Sequence, residues 1–163
     1  MMLMWRKSDG FLSYVDRNGI EQRINCWSKV RNEQNGLRPR KPLFKGVTDV
    51  YYATGDVAAM PRVFPNGQWT ITGVKEHPDP TENHGYLYPA FIRTDAVSAV
   101  PEWLLNADGT YMKPSGKVLV DRDLGLHFST SDWTQGCIRI ATYDELMRLW
   151  HDVNAGDMLV VSE

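Results

Sequence analysis

The sequence predicts a mainly β domain with one short helix near its C-terminal end. Short alternating or apolar runs recur along the chain, separated by turn chemistry such as Asp16-Arg17-Asn18-Gly19 and Pro65-Asn66-Gly67. Asn and Gly tolerate the positive φ that tight turns need. Helical spacing stands out once, at Leu146, Leu149, Trp150 and Val153, the i, i+3, i+4, i+7 pattern of an amphipathic helix. A chain of 163 residues with 42% hydrophobic and 11% aromatic content suits a single domain, residues 1–163. A chain of that size buries roughly two-thirds of its unfolded surface.

Residues 11–15 and 20–27 flank Asn18-Gly19 and read as an opening β-hairpin. Residues 31–46 lack periodicity and contain Pro39 and Pro42, so they read as loop; residues 51–54 suit a short strand. After the Pro65-Asn66-Gly67 turn, Trp69, Ile71 and Gly73 alternate with polar residues, as in a half-buried strand. Residues 76–85 are polar, with two prolines and two histidines, and read as loop. Strand character returns at 86–93. Residues 103–105 and 117–120 follow, on either side of the turns Asp108-Gly109 and Pro114-Ser115-Gly116. Residues 124–128 carry His127 on or at the end of a strand. Thr142 with Glu145 three residues on forms a capping box for the helix. Gly156 closes the helix region, and residues 158–161 form a last strand.

Composition excludes several partners. A net charge of −2 without a basic run gives no pull toward nucleic acid. No apolar run approaches the ~20 residues of a membrane span. Residues 1–5 are apolar, but Arg6 and Lys7 follow at once. A secretory signal has a basic region first and about 7–15 apolar residues after it, so no standard signal is visible.

Cys26 and Cys137 are the two cysteines, too few for a disulfide framework. A bridge between them would silence either thiol, and sparse cysteine suits reduced thiols better. Cys137 has the chemically suggestive surroundings. His127 lies ten residues before it and Arg139 two after it. A thiol attacks as thiolate, which a nearby imidazole or guanidinium favours. Residues 129–132 are rich in turn formers, so the intervening loop can fold back. Gly136 lets the backbone approach closely, and amides beside Cys137 can then line an oxyanion hole. Arg139 suits a thiolate or a substrate carboxylate. The competing reading is a buried structural thiol beside a satisfied histidine, since cysteine is among the most buried residue types.

Thr134-Gln135-Gly136-Cys137-Ile138-Arg139 with His127 upstream resembles the signature of the L,D-transpeptidase (YkuD-like) catalytic domain. The stretch Phe64-Pro65-Asn66-Gly67-Gln68-Trp69-Thr70-Ile71 is similar to another motif of that family. The post-cysteine helix, Gly156-Asp157 and the closing strand resemble its C-terminal end. The resemblance is strongest over residues 60–162. It implies a β-sandwich-like fold with one short helix. It also implies acyl transfer on peptidoglycan stem peptides, with Cys137 as nucleophile and His127 as base.

Gly136, Arg139, Thr134, Gln135, Phe128 and Trp133 would shape the oxyanion and substrate site. Three positions depart from the family pattern: Phe128 replaces a usual Gly, Thr134 a Ser and Gln135 a frequent His. The loop between His127 and Cys137 is also short for the family. Action in the cell envelope or outside the cell is the implied location, and no cofactor is implied. Hydrolysis of the same bond, or a wall-binding module without catalysis, are the alternatives. His77, Asp79, Glu82 and His84 lack the tight spacing of a zinc site, so no metal is expected. His151 follows Cys137 but falls on the solvent side of the helix pattern.

Overall fold

The computed structural model describes residues 1–28, 57–59, 63–76, 90–105, 111–122, 124–128 and 136–163. The sequence-predicted strand at 51–54, the loop at 31–46, the loop at 76–85 apart from Glu76, and the Asp108-Gly109 turn lie outside them; Glu76 ends a strand. The described chain is mainly β with one helix. Eight strands close into a barrel in the order β1 (Met2–Arg6), β11 (Met158–Ser162), β5 (Gly67–Glu76), β6 (Ala90–Thr94), β9 (Gly125–His127), β10 (Ile138–Ile140), β3 (Glu21–Trp27) and β2 (Phe11–Val15). The strands β4 (Val57–Ala59), β7 (Ser98–Leu105) and β8 (Tyr111–Asp121) form a separate three-stranded sheet.

The mainly β character with one short helix is as expected. Within the barrel, two strands pass from one set of neighbours to another. The strand β5 (Gly67–Glu76) pairs with β11 (Met158–Ser162) through residues 67–70. It pairs with β6 (Ala90–Thr94) from Ile71 onward, across a register irregularity between Ile71 and Gly73. Likewise β3 (Glu21–Trp27) pairs with β2 (Phe11–Val15) over residues 21–25, then with β10 (Ile138–Ile140) through Cys26 and Trp27. Strands that bend between neighbours in this way turn the corners of a closed sheet.

The hairpin β2–β3 forms as its sequence predicts. Asp16 Oδ1 accepts from the amides of Asn18 at 2.9 Å and Ile20 at 3.0 Å, and Gly19 takes a φ of 78°. Alternation then sorts the side chains: Ile24 and Cys26 are buried while Arg23 and Asn25 are exposed. A further strand, β1 (Met2–Arg6), pairs antiparallel with β2 and parallel with β11. The short apolar start is therefore a strand with Leu3 and Trp5 buried.

The helix α1 (Tyr143–Asp152) starts where the capping box put it. Thr142 Oγ1 accepts from the Glu145 amide at 3.2 Å. Glu145 does not cap Thr142's own amide; its Oε1 accepts from the Asn25 amide at 3.2 Å and from Asn25 Nδ2 at 3.1 Å, which pins the helix start to β3. The helix packs against β3, β6 and β10. Leu146 and Leu149 join Ile24, Ile92, Leu126, Ile138 and Leu159 in one buried cluster. At its far end Tyr14 donates to Asp152 at 2.6 Å.

One expected turn is corrected. Pro114-Ser115-Gly116 lies inside β8 (Tyr111–Asp121), paired with β7 (Ser98–Leu105). The register steps from Val118 opposite Pro101 to Pro114 opposite Trp103, so the extra residues bulge out of the ladder. Gly116 accommodates this at φ 87°. Turn chemistry serves a bulge as well as it serves a reversal.

Candidate active site

Strand β9 (Gly125–His127) lies between β6 and β10, antiparallel to the first and parallel to the second. Its register places Phe91, His127, Arg139 and Trp27 in one row across four neighbouring strands. Directly paired residues project on one face of a sheet. The neighbouring row, Ile92, Leu126 and Ile138, is fully buried in the core cluster. His127 and Arg139 therefore stand on the opposite face from that core row.

Cys137 lies in a bend one residue before β10 and two before Arg139, and it belongs to the buried core cluster. Gly136, just before it, has a φ of 100°, in the left-handed region that side chains disfavour. The chain thus brings His127, Gly136, Cys137 and Arg139 into one neighbourhood. Trp133, Thr134 and Gln135 lie outside the described residues. Neither cysteine is disulfide-bonded.

All three chemical groups are buried: Cys137 is 6% exposed, His127 8% and Arg139 8%. Burial pushes the His127 pKa down to about 4; the Phe128 backbone hydrogen bond opposes this and the Arg139 charge adds to it. The imidazole is therefore neutral near pH 7 and available to accept a proton. Its ring stacks on Phe91, with centroids 5.9 Å apart and planes at 29°.

Arg139 is held tightly. Its Nη1 donates to the carbonyls of Ile140 at 3.3 Å and Ala141 at 3.2 Å. Its guanidinium lies 4.6 Å from the Trp27 ring and 5.1 Å from the Phe128 ring. Phe128 also meets Tyr143 edge-on at 6.3 Å. Phe128 thus forms one wall of an aromatic clamp on Arg139. Cation–π contacts of this kind contribute about 0.5–2 kcal/mol each, more when desolvated.

Cys26 is the contrasting thiol. It is fully buried, beside Leu12 and opposite Ile140, and burial drives its pKa upward. Its position suits a structural thiol.

Sequence reasoning missed Trp27, Phe91 and Gly125. Alternation with Arg23 and Asn25 was the available signal for Trp27. Gly125 sits inside a strand, a usual sign of close approach. A Cβ there would meet the Phe91 ring at 2.8 Å and also the Ile92 carbonyl. Among the described residues, no group of three or more His, Cys, Asp or Glu could hold a metal ion; His77, Asp79, Glu82 and His84 lie outside them. No described helix is long and apolar enough to cross a membrane.

Compared with models of protein families, with curated proteins and with solved structures, the chain has no match. What the site does has to follow from its own residues.

Proposed function

We propose that the chain is a cysteine acyltransferase of the L,D-transpeptidase (YkuD-like) kind, acting on peptidoglycan stem peptides. The sandwich-like fold of that family and action at the cell envelope or beyond belong to the same proposal. The observation that carries it is the registered pairing of His127 with Arg139, two residues after Cys137, on adjacent parallel strands. That pairing gathers a thiol, a neutral imidazole and a guanidinium into one water-poor region, the parts that nucleophilic acyl transfer requires.

The chemistry begins with a neutral pair, because a depressed imidazole pKa disfavours a resting thiolate–imidazolium. As Cys137 Sγ attacks the donor carbonyl, His127 accepts the thiol proton. The tetrahedral oxyanion forms beside the Gly136 backbone. His127 then returns the proton to the leaving amine, leaving an acyl thioester on Cys137. An acceptor amine attacks that thioester, loses its proton through His127 and regenerates the thiol. Arg139 would supply fixed positive charge near the substrate, held by Trp27 and Phe128.

Water in place of the amine gives the hydrolytic variant, an L,D-carboxypeptidase or endopeptidase. A non-catalytic wall-binding module is the second reading, favoured by the low exposure of both Cys137 and His127.

Intact-mass spectrometry with a carbapenem or another thiol-reactive acyl probe separates these readings. One adduct, lost in Cys137→Ala and retained in Cys26→Ser, supports the enzyme. Labelling no faster than that of the unfolded chain would sink it. Purified tetrapeptide-stem muropeptides then distinguish crosslinked dimers, from transfer, from shortened tripeptides, from hydrolysis.

A further inference from the structure

The outer face of β1 and β11 carries an unusual set of side chains. Met2 is 49% exposed, Met4 54% and Met158 38%. Alternation puts Met2 and Met4 on one face of β1, with Leu3 between them fully buried. The parallel pairing sets Met158 of β11 directly beside Met2. Three thioethers therefore project from one corner of the sheet. Met2 and Met158 stand about 5 Å apart at their Cα atoms, Met2 and Met4 about 7 Å, and Met4 and Met158 about 8 Å along the diagonal.

A cavity of about 510 Å³ opens beside Met2 and Met4. Ser13 and Glu21 line its far side, where Glu21 Oε1 lies 3.8 Å from Arg23 Nε, while Met158 stands on the other side of β1. Methionine has three rotatable bonds and a polarizable sulfur. Three sulfurs about 2.3 Å from a common centre lie only about 4 Å from one another, which side chains of that length span from these positions. Thioethers select soft cations such as copper(I) over hard divalent ions.

We propose that Met2, Met4 and Met158 form a trithioether site for a soft monovalent cation of the copper(I) class. The site is independent of the Cys137 region, because β1 and β9 are four strands apart in either direction around the barrel.

Silver(I) is the probe, since it matches copper(I) in charge and softness without redox chemistry. The intact chain, labelled with carbon-13 in the methionine methyl groups, is titrated with silver nitrate and followed by NMR. The methyl signals of Met2, Met4 and Met158 should shift together and saturate at one equivalent, while that of Met147 on α1 stays in place. Silver captured by Cys137 instead would leave all three signals unmoved and overturn the proposal. So would shifts of these methyls that never saturate. Met2→Leu keeps the apolar volume and should weaken silver binding at least tenfold, read from the Met4 and Met158 methyls. Unchanged saturation of those two signals in that variant also overturns it.

Discussion

His127 and Arg139 face each other across the parallel pair β9–β10 as Cα partners. Both sit at 8% exposure. The guanidinium keeps its position through two backbone carbonyls and two aromatic rings, so its charge bears on the imidazole from a fixed place. Burial and that charge act in the same direction on the imidazole, and both favour its neutral form.

Stability should depend on pH through this histidine. Its folded pKa, about 4, lies below the ordinary ~6.5 of an unfolded histidine. Its contribution is fully present above pH ~6.5 and is lost as pH falls toward 4. The difference corresponds to about 3 kcal/mol. Urea midpoints measured between pH 7 and 4 should fall by that order in the wild type. His127→Asn should flatten the slope; an unchanged slope would assign it to other groups.

If His127 is the base in the free enzyme, the acid limb of kcat/KM should fall near pH 4 instead of near 6.5. A pH–rate profile of muropeptide turnover checks this directly. A limb near 6.5 would mean that the imidazole is solvated when it works.

Arg139→Lys should not be conservative. Lysine carries the charge but lacks the planar fork that both stacks and donates to two carbonyls. Losing the stacks between Trp27 and Phe128 should cost about 1–2 kcal/mol of stability and reduce adduct formation at Cys137 about tenfold or more. Denaturation together with carbapenem labelling measures both. Phe128→Gly should loosen the same clamp from one side.

Gly125→Ala should destabilise the chain by about 1–3 kcal/mol through overpacking. One of the two obstacles to its methyl is the Ile92 backbone, which has little room to move. Adding Phe91→Leu should therefore restore only part of the loss. Full recovery would show that the ring alone sets the limit.

Glu145→Ala should cost about 1 kcal/mol, because its carboxylate accepts from Asn25 as well as from Thr142. A double-mutant cycle with Asn25→Ala should show coupling. Strict additivity would mean that the helix start does not depend on β3.

Local rules made much of this chain legible. Thr142 and Glu145 marked the start of α1, Asn18-Gly19 marked the β2–β3 hairpin, and alternation from Trp69 marked β5. His127 was readable at the end of its strand. Barrel closure was not readable, because it depends on β3 and β5 changing partners midway, and each half of those strands alternates like any other. β1 was hidden because five apolar residues before Arg6 carry no periodicity long enough to classify. At the site, Cys137, His127 and Arg139 stood out by residue type and spacing. The clamp on Arg139 did not, since Trp27 is far away in sequence and meets it only through β3–β10 pairing.

The seam of the barrel joins its first strand to its last. β1 and β11 run parallel with five registered pairs, from Met2 beside Met158 to Arg6 beside Ser162. Opposing tension on residues 2 and 162 would pull at opposite ends of a parallel pair, loading its backbone hydrogen bonds together in shear instead of opening them one at a time. The barrel should therefore resist stretching between its ends far better than peeling of the antiparallel β2–β3 hairpin from its turn. Its mechanical strength would then reside in the β1–β11 seam.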